Sequence, residues 1–334
     1  MRRVTLSDVA KLAAVSPITV SRALRKPEAV SPELRERILA VVGQLGYVPD
    51  LAASRLASAR THLIGVIVPT LYNTIFADYL LAIHEAMIAA GFQIVVVNSR
   101  YSESEEEAAI KTLIGQRVEA IVVAGVRHTQ LSRTLLAQSR VPVIETFDLA
   151  DDPIGINIGM SQVEAGRAAT RHLIDVGARR IAFLAGNLDE RAAARLSGYR
   201  RVMEDAGLET ATEIIQRAQM SSLRLGHALM RGQIERHSVP EAIFAVDDNI
   251  AAGAMQAARE HGLRVPEDLA IIGFHDLDFA QCLTPALTSI ATRRYETGDL
   301  VAAKLISILK GDGTFTPEKI DLGFELIARQ STAR

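Results

Sequence analysis

Polar and charged side chains cluster where several apolar runs of this sequence end. The runs HLIGVIVP, VPVIETF, RRIAFLAG, EAIFAVDD and LAIIGFHD are typical of buried strands. The polar residues at their ends are Tyr72, Asn73, Glu145, Asp148, Asp189, Glu190, Arg191, Arg195, Asp247, Asp248, Asn249, His275 and Asp276. Paired donors and acceptors of these types can replace the water around a polyhydroxylated small molecule. An isolated Asp after a strand is more often the N-cap of the next helix, and we expect Asp248 to be such a cap.

The elements that would position these side chains form an α/β body. Strand-like runs alternate with amphipathic helical stretches over residues 61–334, which predicts doubly wound parallel sheets. Ligands of such sheets bind beyond the carboxyl ends of the strands. The pattern restarts near residues 157–161, and the chain is expected to recross near 288–291 and 320. We therefore predict a first lobe of about 61–159 and 290–319, and a second of about 160–289 and 320–334.

The first 60 residues differ in charge from the rest of the chain. They hold ten Lys or Arg against five Asp or Glu, whereas the whole chain has a net charge of −2. A basic head on a more acidic body indicates a polyanionic partner for the head. A chance imbalance on a solvated surface would give the same count, so the residue pattern has to decide between the two.

Three short helices are predicted within residues 1–48. VTLSDVAKLAAVS begins at Thr5 and carries Asp8 three positions later, an approximate capping box. SPITVSRAL has Ser16 as N-cap and Pro17 at the first helical position, and SPELRERILAVVGQLGY repeats that start and stops near Gly46. The side chains expected to face inward are Val9, Leu12, Ala13, Val20, Leu24, Leu34, Ile38, Val41 and Leu45. This all-α head is a predicted helix-turn-helix unit.

The second helix is expected to enter the major groove of DNA. Arg22 is the candidate for a guanine, because its guanidinium can donate to both O6 and N7. A packing module without a DNA role would not need an outward face of Ile18, Ser21, Arg22 and Arg25. The predicted DNA-binding residues are Thr5, Ser16, Pro17, Ile18, Thr19, Ser21, Arg22, Ala53 and Leu56.

Residues 49–60 are a candidate hinge helix. The segment is too short to be stable as an isolated helix in water, so it would form when docked on a partner. Ala53 permits close approach and Leu56 could act as a wedge in the minor groove. A plain linker has the same composition and stays open as an alternative.

The stretch VTLSDVAKLAAVSPITVSRAL, followed by VSPELRERILAVVGQLGYVPDLAASRLASARTHLIGVIVP, resembles the head and hinge of the LacI family of bacterial transcriptional repressors. The resemblance extends over essentially the whole chain and implies a body like a periplasmic sugar-binding protein. It also implies a homodimer on a near-palindromic operator, with Leu56 as the residue that opens the minor groove. Asp50 and Leu51 depart from the Asn and Arg of many members, which puts a hinge contact with phosphate in doubt.

The same resemblance implies a role for the residues of the cleft. Arg195 matches the family arginine that holds ligand hydroxyls or a carboxylate, with Arg191 nearby. His275 stands where neutral-sugar binders usually have Asp; it can donate a hydrogen bond or, protonated, carry a charge. LDER, GFHDLD and DLGF resemble the gluconate-repressor branch, so the expected effector is gluconate or 2-ketogluconate. Asp247, where Asn is usual, adds a negative charge and favours a neutral sugar instead. The predicted effector-binding residues are Tyr72, Asn73, Phe76, Glu145, Arg191, Arg195, Asp247 and His275.

Other functional classes find less support in the sequence. It shows no Gly-rich phosphate loop, metal-ligand spacing or nucleophile elbow, so we expect neither an enzyme nor a cofactor or metal. One cysteine, Cys282, and the absence of a signal segment or membrane-length apolar run indicate a cytoplasmic, nucleoid-associated protein without membrane contact. His128 and His172 are expected to be surface or cap residues. No C-terminal heptad segment follows, so a dimer is expected rather than a tetramer.

Overall fold

The computed structural model of the chain describes residues 4–25, 27–48, 60–72, 74–209, 213–215, 220–311 and 315–334. The chain divides into two compact units, Met1–Thr61 and His62–Arg334. Ala53, Leu56 and Asn73 lie outside the described residues, as does the expected hinge helix except for Arg60.

The first unit contains the three predicted helices, α1 (Leu6–Leu12), α2 (Pro17–Arg25) and α3 (Pro32–Leu45). The capping box of α1 is present, because Thr5 and Asp8 exchange hydrogen bonds between side chain and backbone. Ser31 caps α3, and Gly46 ends it in the left-handed conformation with a φ of 59°. These caps satisfy backbone groups that the short helices cannot pair internally.

Eight apolar side chains form the core of this unit: Val9, Ala10, Ala13, Val20, Ala23, Ile38, Val41 and Tyr47. The expectation that Leu12 faces inward is wrong, since 50% of the residue is exposed. The buried face of α1 runs through Val9, Ala13 and Ala10, and Leu12 projects from the other side of Val9.

The second unit, the α/β body, contains two lobes. Its first sheet has strands β1 (Leu63–Val68), β2 (Gln93–Asn98), β3 (Ala120–Ala124), β4 (Val143–Asp148), β5 (Ile156–Met160) and β11 (Glu318–Asp321). They follow the order β11-β5-β4-β3-β1-β2, and every pair is parallel. The helices of this lobe are α4 (Ile75–Ala89), α5 (Glu103–Gly115), α6 (Gln130–Gln138) and α11 (Arg294–Leu309).

The second sheet repeats this arrangement. Its strands are β6 (Ile181–Ala185), β7 (Glu213–Ile215), β8 (Ala242–Ala245), β9 (Ala270–His275), β10 (Thr288–Thr292) and β12 (Phe324–Ile327). Their order is β12-β10-β9-β8-β6-β7, with only the β10–β12 pair antiparallel among the described strands. Its helices are α7 (Gln162–Asp175), α8 (Glu190–Asp205), α9 (Leu223–Glu235) and α10 (Asp248–Glu260). The central strands β6 and β8 are apolar throughout because a parallel sheet is covered on both faces.

The chain passes between the two sheets at three places, after β5, after β10 and after β11. The second and third crossings come a few residues later than the expected 290 and 320. The reason is strand pairing: β10 continues to Thr292 in the second sheet, and β11 continues to Asp321 in the first. Within the described part of the chain, no helix has the length and apolarity needed to span a membrane.

Close helix packing in the second lobe depends on two glycines. A Cβ atom on Gly166 of α7 would lie 2.3 Å from the carbonyl oxygen of Arg195, and one on Gly198 of α8 would lie 2.2 Å from that of Val163. The backbones of α7 and α8 therefore touch, and this contact determines where α8 places Arg195.

Candidate functional site

The outward face of α2 carries the predicted DNA-binding side chains. Ser16 Oγ accepts a hydrogen bond from the Thr19 backbone N–H at 3.1 Å, and the two hydroxyl oxygens are 2.9 Å apart. Ile18 is 70% exposed, and Arg22 is exposed as well, whereas Val20 and Ala23 of the same helix are buried. A capped helix with an exposed guanidinium on its outer face has the geometry needed to read base edges in a major groove.

The carboxyl ends of the body strands surround a pocket. Tyr72, Arg191, Arg195, Asp247 and His275, all predicted from the sequence, are among its lining residues. The pocket opens into a wider mouth that is lined by both lobes. The rule that ligands bind beyond the strand ends therefore predicted the position of the cleft.

Arg195 is held by the second lobe in a buried setting. Only 4% of the residue is exposed. Its Nη1 donates to the Val246 carbonyl at 2.6 Å, its Nε donates to the Arg191 carbonyl at 3.3 Å, and the guanidinium lies 4.2 Å from the centre of the Phe274 ring. Burial lowers the pKa of Arg195 to about 10, so the group stays charged at neutral pH.

Arg191 lies one helical turn before Arg195, where the cleft meets the segments that cross between the lobes. Its Nη2 donates to Asp189 Oδ2 at 3.3 Å, and its guanidinium is 5.7 Å from the Phe76 and Phe147 ring centres. Burial opposes its charge, but Asp189, Tyr101 and Asp148 together outweigh burial, and the pKa of Arg191 is raised. The pKa of Asp189 is lowered for the converse reason, because Arg191 and Arg195 outweigh its burial.

His275 ends β9 with a φ of 98°, a strained backbone for a residue with a side chain. Its Nδ1 lies 3.1 Å from Thr292 Oγ1, and its carbonyl accepts a hydrogen bond from Arg294 Nη1. Burial, together with Arg195 and Arg294, holds the pKa of His275 well below its ordinary value. His275 is therefore neutral, which corrects the expectation that it could carry the positive charge of the cleft.

Asp247, not Asp248, caps the helix that follows β8. Asp247 Oδ1 accepts from the Ile250 N–H at 2.9 Å, and burial raises the pKa of this carboxyl. Asp248 is already the first residue of α10 and is fully buried, accepting from the Leu277 N–H at 2.6 Å and from Ser289 Oγ at 2.7 Å. Burial raises the pKa of Asp248 to about 7.

Two predicted effector residues do not line the cleft. Glu145 is fully buried, its Oε2 accepts from the Ile154 N–H at 2.7 Å, and its Oε1 lies 3.4 Å from His128 Nε2. Strand β4 continues to Asp148, so Glu145 is not at its carboxyl end, and Asp148 lines the mouth instead. Phe76 is buried beneath Arg191 and supports that guanidinium without lining the pocket.

The side chain of His128 is buried, contrary to expectation. Its Nδ1 lies 2.8 Å from Glu106 Oε1. Burial opposes its protonation, but Glu106 and Glu145 outweigh it and raise the pKa of His128 to about 9. His172 is half-buried in the last turn of α7, 2.8 Å from Thr332 Oγ1.

Tyr101 is a cleft residue that the sequence reasoning missed. It lines both the pocket and the mouth, has a φ of 56°, and burial raises its pKa to about 12. It follows the apolar run FQIVVVN much as Tyr72 follows HLIGVIVP, so the strand-end rule applied to β2 would have found it. Among the described residues, no group of His, Cys, Asp or Glu has the arrangement of a metal site.

Comparison with known proteins places these features in a family. Residues 5–50 match the model of bacterial regulatory proteins of the lacI family, and residues 170–332 match that of the periplasmic binding protein-like domain. The chain is 37% identical to the HTH-type transcriptional regulator GntR of Pseudomonas aeruginosa over 99% of its own length and 96% of that protein.

Solved structures agree with this match. A LacI-family regulator from Silicibacter pomeroyi superposes with a TM-score of 0.92 at 29% identity, covering 99% of this chain and 100% of that one. The lac repressor dimer bound to operator and an anti-inducer superposes with a TM-score of 0.82 at 28% identity, covering 100% of both chains. The relatives are transcriptional regulators and not enzymes. The chain is therefore a DNA-binding transcriptional regulator of the LacI family.

Proposed function

We propose that this regulator represses transcription from a near-palindromic operator that it binds as a dimer, and that a six-carbon sugar acid such as gluconate or 2-ketogluconate releases it. The observation that carries the effector assignment is the pair of buried guanidinium groups, Arg191 and Arg195, that line the cleft. Buried charges require compensation by an opposite charge or by hydrogen bonds. A ligand carboxylate supplies both.

The carboxylates around the pocket do not remove the need for a ligand charge that compensates the buried guanidinium groups. Asp189 is ionised but is already bound to Arg191 and to the Ala192 N–H. Asp247 uses one oxygen as a helix cap, and its pKa is raised by burial. The pKa of Asp148 is also raised, with burial as the first cause. These acceptors suit the hydroxyl groups of the same ligand.

A neutral sugar is the second candidate. Asp148, Asp189 and Asp247 all line the cleft, and carboxylates are the usual acceptors for sugar hydroxyls. The two candidates differ in charge, so binding measurements on an acid and on a neutral sugar separate them.

Release of the regulator from its operator follows from the position of the effector pocket between the two lobes. A ligand that contacts both lobes favours the arrangement in which they close around it, and it shifts the equilibrium by its differential affinity for the two arrangements. By linkage, operator binding must lower effector affinity by the factor by which effector lowers operator affinity. Equal effector affinity with and without operator would contradict this switch.

Calorimetric titration with gluconate, 2-ketogluconate and glucose tests the effector class. We expect heat from an acid and none from glucose, because glucose supplies no carboxylate to Arg195, whose hydrogen bonds in the described structure go to backbone carbonyls. Heat from glucose alone would replace the sugar acid by a neutral sugar and leave the repressor proposal intact.

A mutation in α2 tests the DNA-reading role. We expect Arg22→Ala to lower operator affinity by roughly 1–3 kcal/mol and to abolish the preference at one base pair, as loss of a bidentate guanine contact does. Fluorescence anisotropy against operators substituted at each position measures both effects. An equal loss on every sequence would identify Arg22 as a phosphate contact.

A further inference from the structure

The three segments that cross between the lobes enclose a small cavity next to the cleft. This hinge cavity is lined by Phe147, Gln162, Arg191, Thr292, Arg294 and Leu322, among others. It has room for about one water-sized group. Arg191 lines the cavity, the pocket and the mouth of the cleft, so the cavity adjoins the predicted effector site.

Two buried polar atoms on the lining residues have no hydrogen-bond partner among the described residues. The first is Gln162 Oε1, on a residue that is only 4% exposed. Gln162 Nε2 donates to the Phe147 carbonyl at 3.0 Å, which orients the amide so that the remaining atom is an acceptor. The second is Arg191 Nη1, whose neighbour Nη2 is bound to Asp189. Buried polar groups of native proteins are nearly always paired, so a group with matching chemistry is expected here.

The matching group is a single oxygen that both accepts and donates. Arg191 Nη1 can only donate, and Gln162 Oε1 can only accept. A carboxylate or keto oxygen cannot donate to the amide, and an ammonium group cannot accept from the guanidinium. A hydroxyl oxygen satisfies both atoms in a space of this size.

We propose that the hinge cavity is a hydroxyl subsite that holds the hydroxyl on the carbon next to the effector's carboxylate. This inference rests on the proposed sugar-acid effector and adds where its acid end lies. With the carboxylate on the cleft side of Arg191, the adjacent hydroxyl is the one within reach of the cavity. The regulator then selects 2-hydroxy acids, and it disfavours the 2-deoxy acid and the open-chain 2-keto acid.

Such a contact also connects the ligand to the crossing segments. Gln162 begins α7 directly after the first crossing, and Thr292 and Leu322 lie at the other two. A ligand hydroxyl between Gln162 and Arg191 therefore contacts the segments whose geometry determines the angle between the lobes.

Calorimetry with D-gluconate and 2-deoxy-D-gluconate tests this subsite on the full chain. We expect wild type to bind 2-deoxygluconate about 10- to 100-fold more weakly, as loss of a charge-assisted hydrogen bond predicts. Gln162→Met retains the length of the side chain and removes its acceptor, and should reduce that ratio about 3- to 10-fold, because Arg191 Nη1 still donates to the hydroxyl. Gln256→Met, an exposed glutamine of α10, is the matched control and should leave the wild-type ratio unchanged.

The outcomes separate this inference from the proposed function. Equal affinity of wild type for the two acids would overturn the hydroxyl subsite, with a trapped water as the occupant, and leave the sugar-acid proposal standing. A Gln162→Met ratio equal to that of wild type would place the 2-hydroxyl elsewhere and also overturn it. Binding of glucose with no binding of either acid would reject the proposed effector and this subsite together. Thermal unfolding of both variants checks that they fold.

Discussion

In the second lobe the cleft side chains of Arg195, Asp247 and His275 are buried and hydrogen-bonded, whereas in the first lobe Tyr72 is 73% exposed. Arg195 is bound to two backbone carbonyls, Asp247 caps α10, and His275 lies against Thr292. The first lobe contributes Tyr72 and Tyr101, which lie beyond the ends of β1 and β2. The second lobe therefore supplies a preformed half of the site. In the first lobe Tyr101 is half-buried, and the exposed Tyr72 is a side chain that can adapt when a ligand binds.

This comparison has an energetic consequence. A preformed polar group needs little ordering when it binds, so its contacts contribute more to affinity than those of a side chain that must be immobilised. Mutations in the second lobe should therefore cost more effector affinity than mutations in the first.

The largest effect is expected for Arg195→Ala. The change removes a buried cation from the effector pocket, and we expect effector affinity to fall at least about 100-fold, with operator binding retained. Calorimetry and operator anisotropy measure the two quantities. Arg200→Ala on the same helix is the matched control, because Arg200 is exposed and bound to Glu213. Loss of operator binding in Arg195→Ala alone would indicate a structural role for this residue.

Gly166→Ala tests whether the helix contact preforms the second lobe. The added Cβ would clash with the Arg195 carbonyl, so α7 and α8 must separate at a cost of roughly 1–3 kcal/mol in the free energy of unfolding. Because the same shift moves Arg195, effector affinity should fall about 10-fold. Gly115→Ala, where a Cβ meets open space, is the control for both measurements. Unchanged effector affinity in Gly166→Ala would show that the position of Arg195 does not depend on this contact.

Asp248→Asn tests a buried carboxyl behind the cleft. The folded-state pKa of Asp248, about 7, lies above the ordinary value of 3.8 for this side chain, so the folded state favours the protonated form. The stability that this preference contributes is complete below the unfolded pKa and is lost as pH rises through about 7. Asparagine cannot ionise, so the variant should gain stability relative to wild type as pH rises from 5 to 7, by up to about 1.4 kcal/mol per pH unit.

Urea unfolding of the two proteins at several pH values measures this difference. A constant difference between pH 5 and 8 would mean that Asp248 is ionised throughout, held by Ser289 Oγ and the Leu277 N–H. The ionised carboxylate of Asp248, and not its neutral form, would then stabilise the backbone turn at His275 and Asp276.

Much of the fold and part of the cleft follow from local pattern. Apolar runs alternating with helices predicted two parallel sheets, and the strand-end rule predicted Arg191, Arg195, Asp247 and His275, which the structure brings around one pocket. The rule failed at Glu145 because β4 extends to Asp148, and strand ends are poorly defined by composition. The neutral state of His275, and the lack of a partner for Gln162 Oε1 within the described part of the chain, depend on distant segments, so no local pattern could predict them.

The smallest effect is expected for Tyr72→Ala in the first lobe. Tyr72 lines the pocket, but its side chain is exposed and must lose freedom when a ligand binds, so its removal should weaken effector binding only about 2- to 5-fold. Calorimetric titration of Tyr72→Ala and Arg195→Ala with the same effector measures the contrast between the lobes. A loss as large as that of Arg195→Ala would contradict the comparison, because it would mean that closure of the first lobe supplies as much binding energy as the preformed half. A small loss of effector affinity accompanied by a faster effector off-rate would support the comparison. Such a result would assign Tyr72 to closing the mouth and Arg195 to holding the ligand.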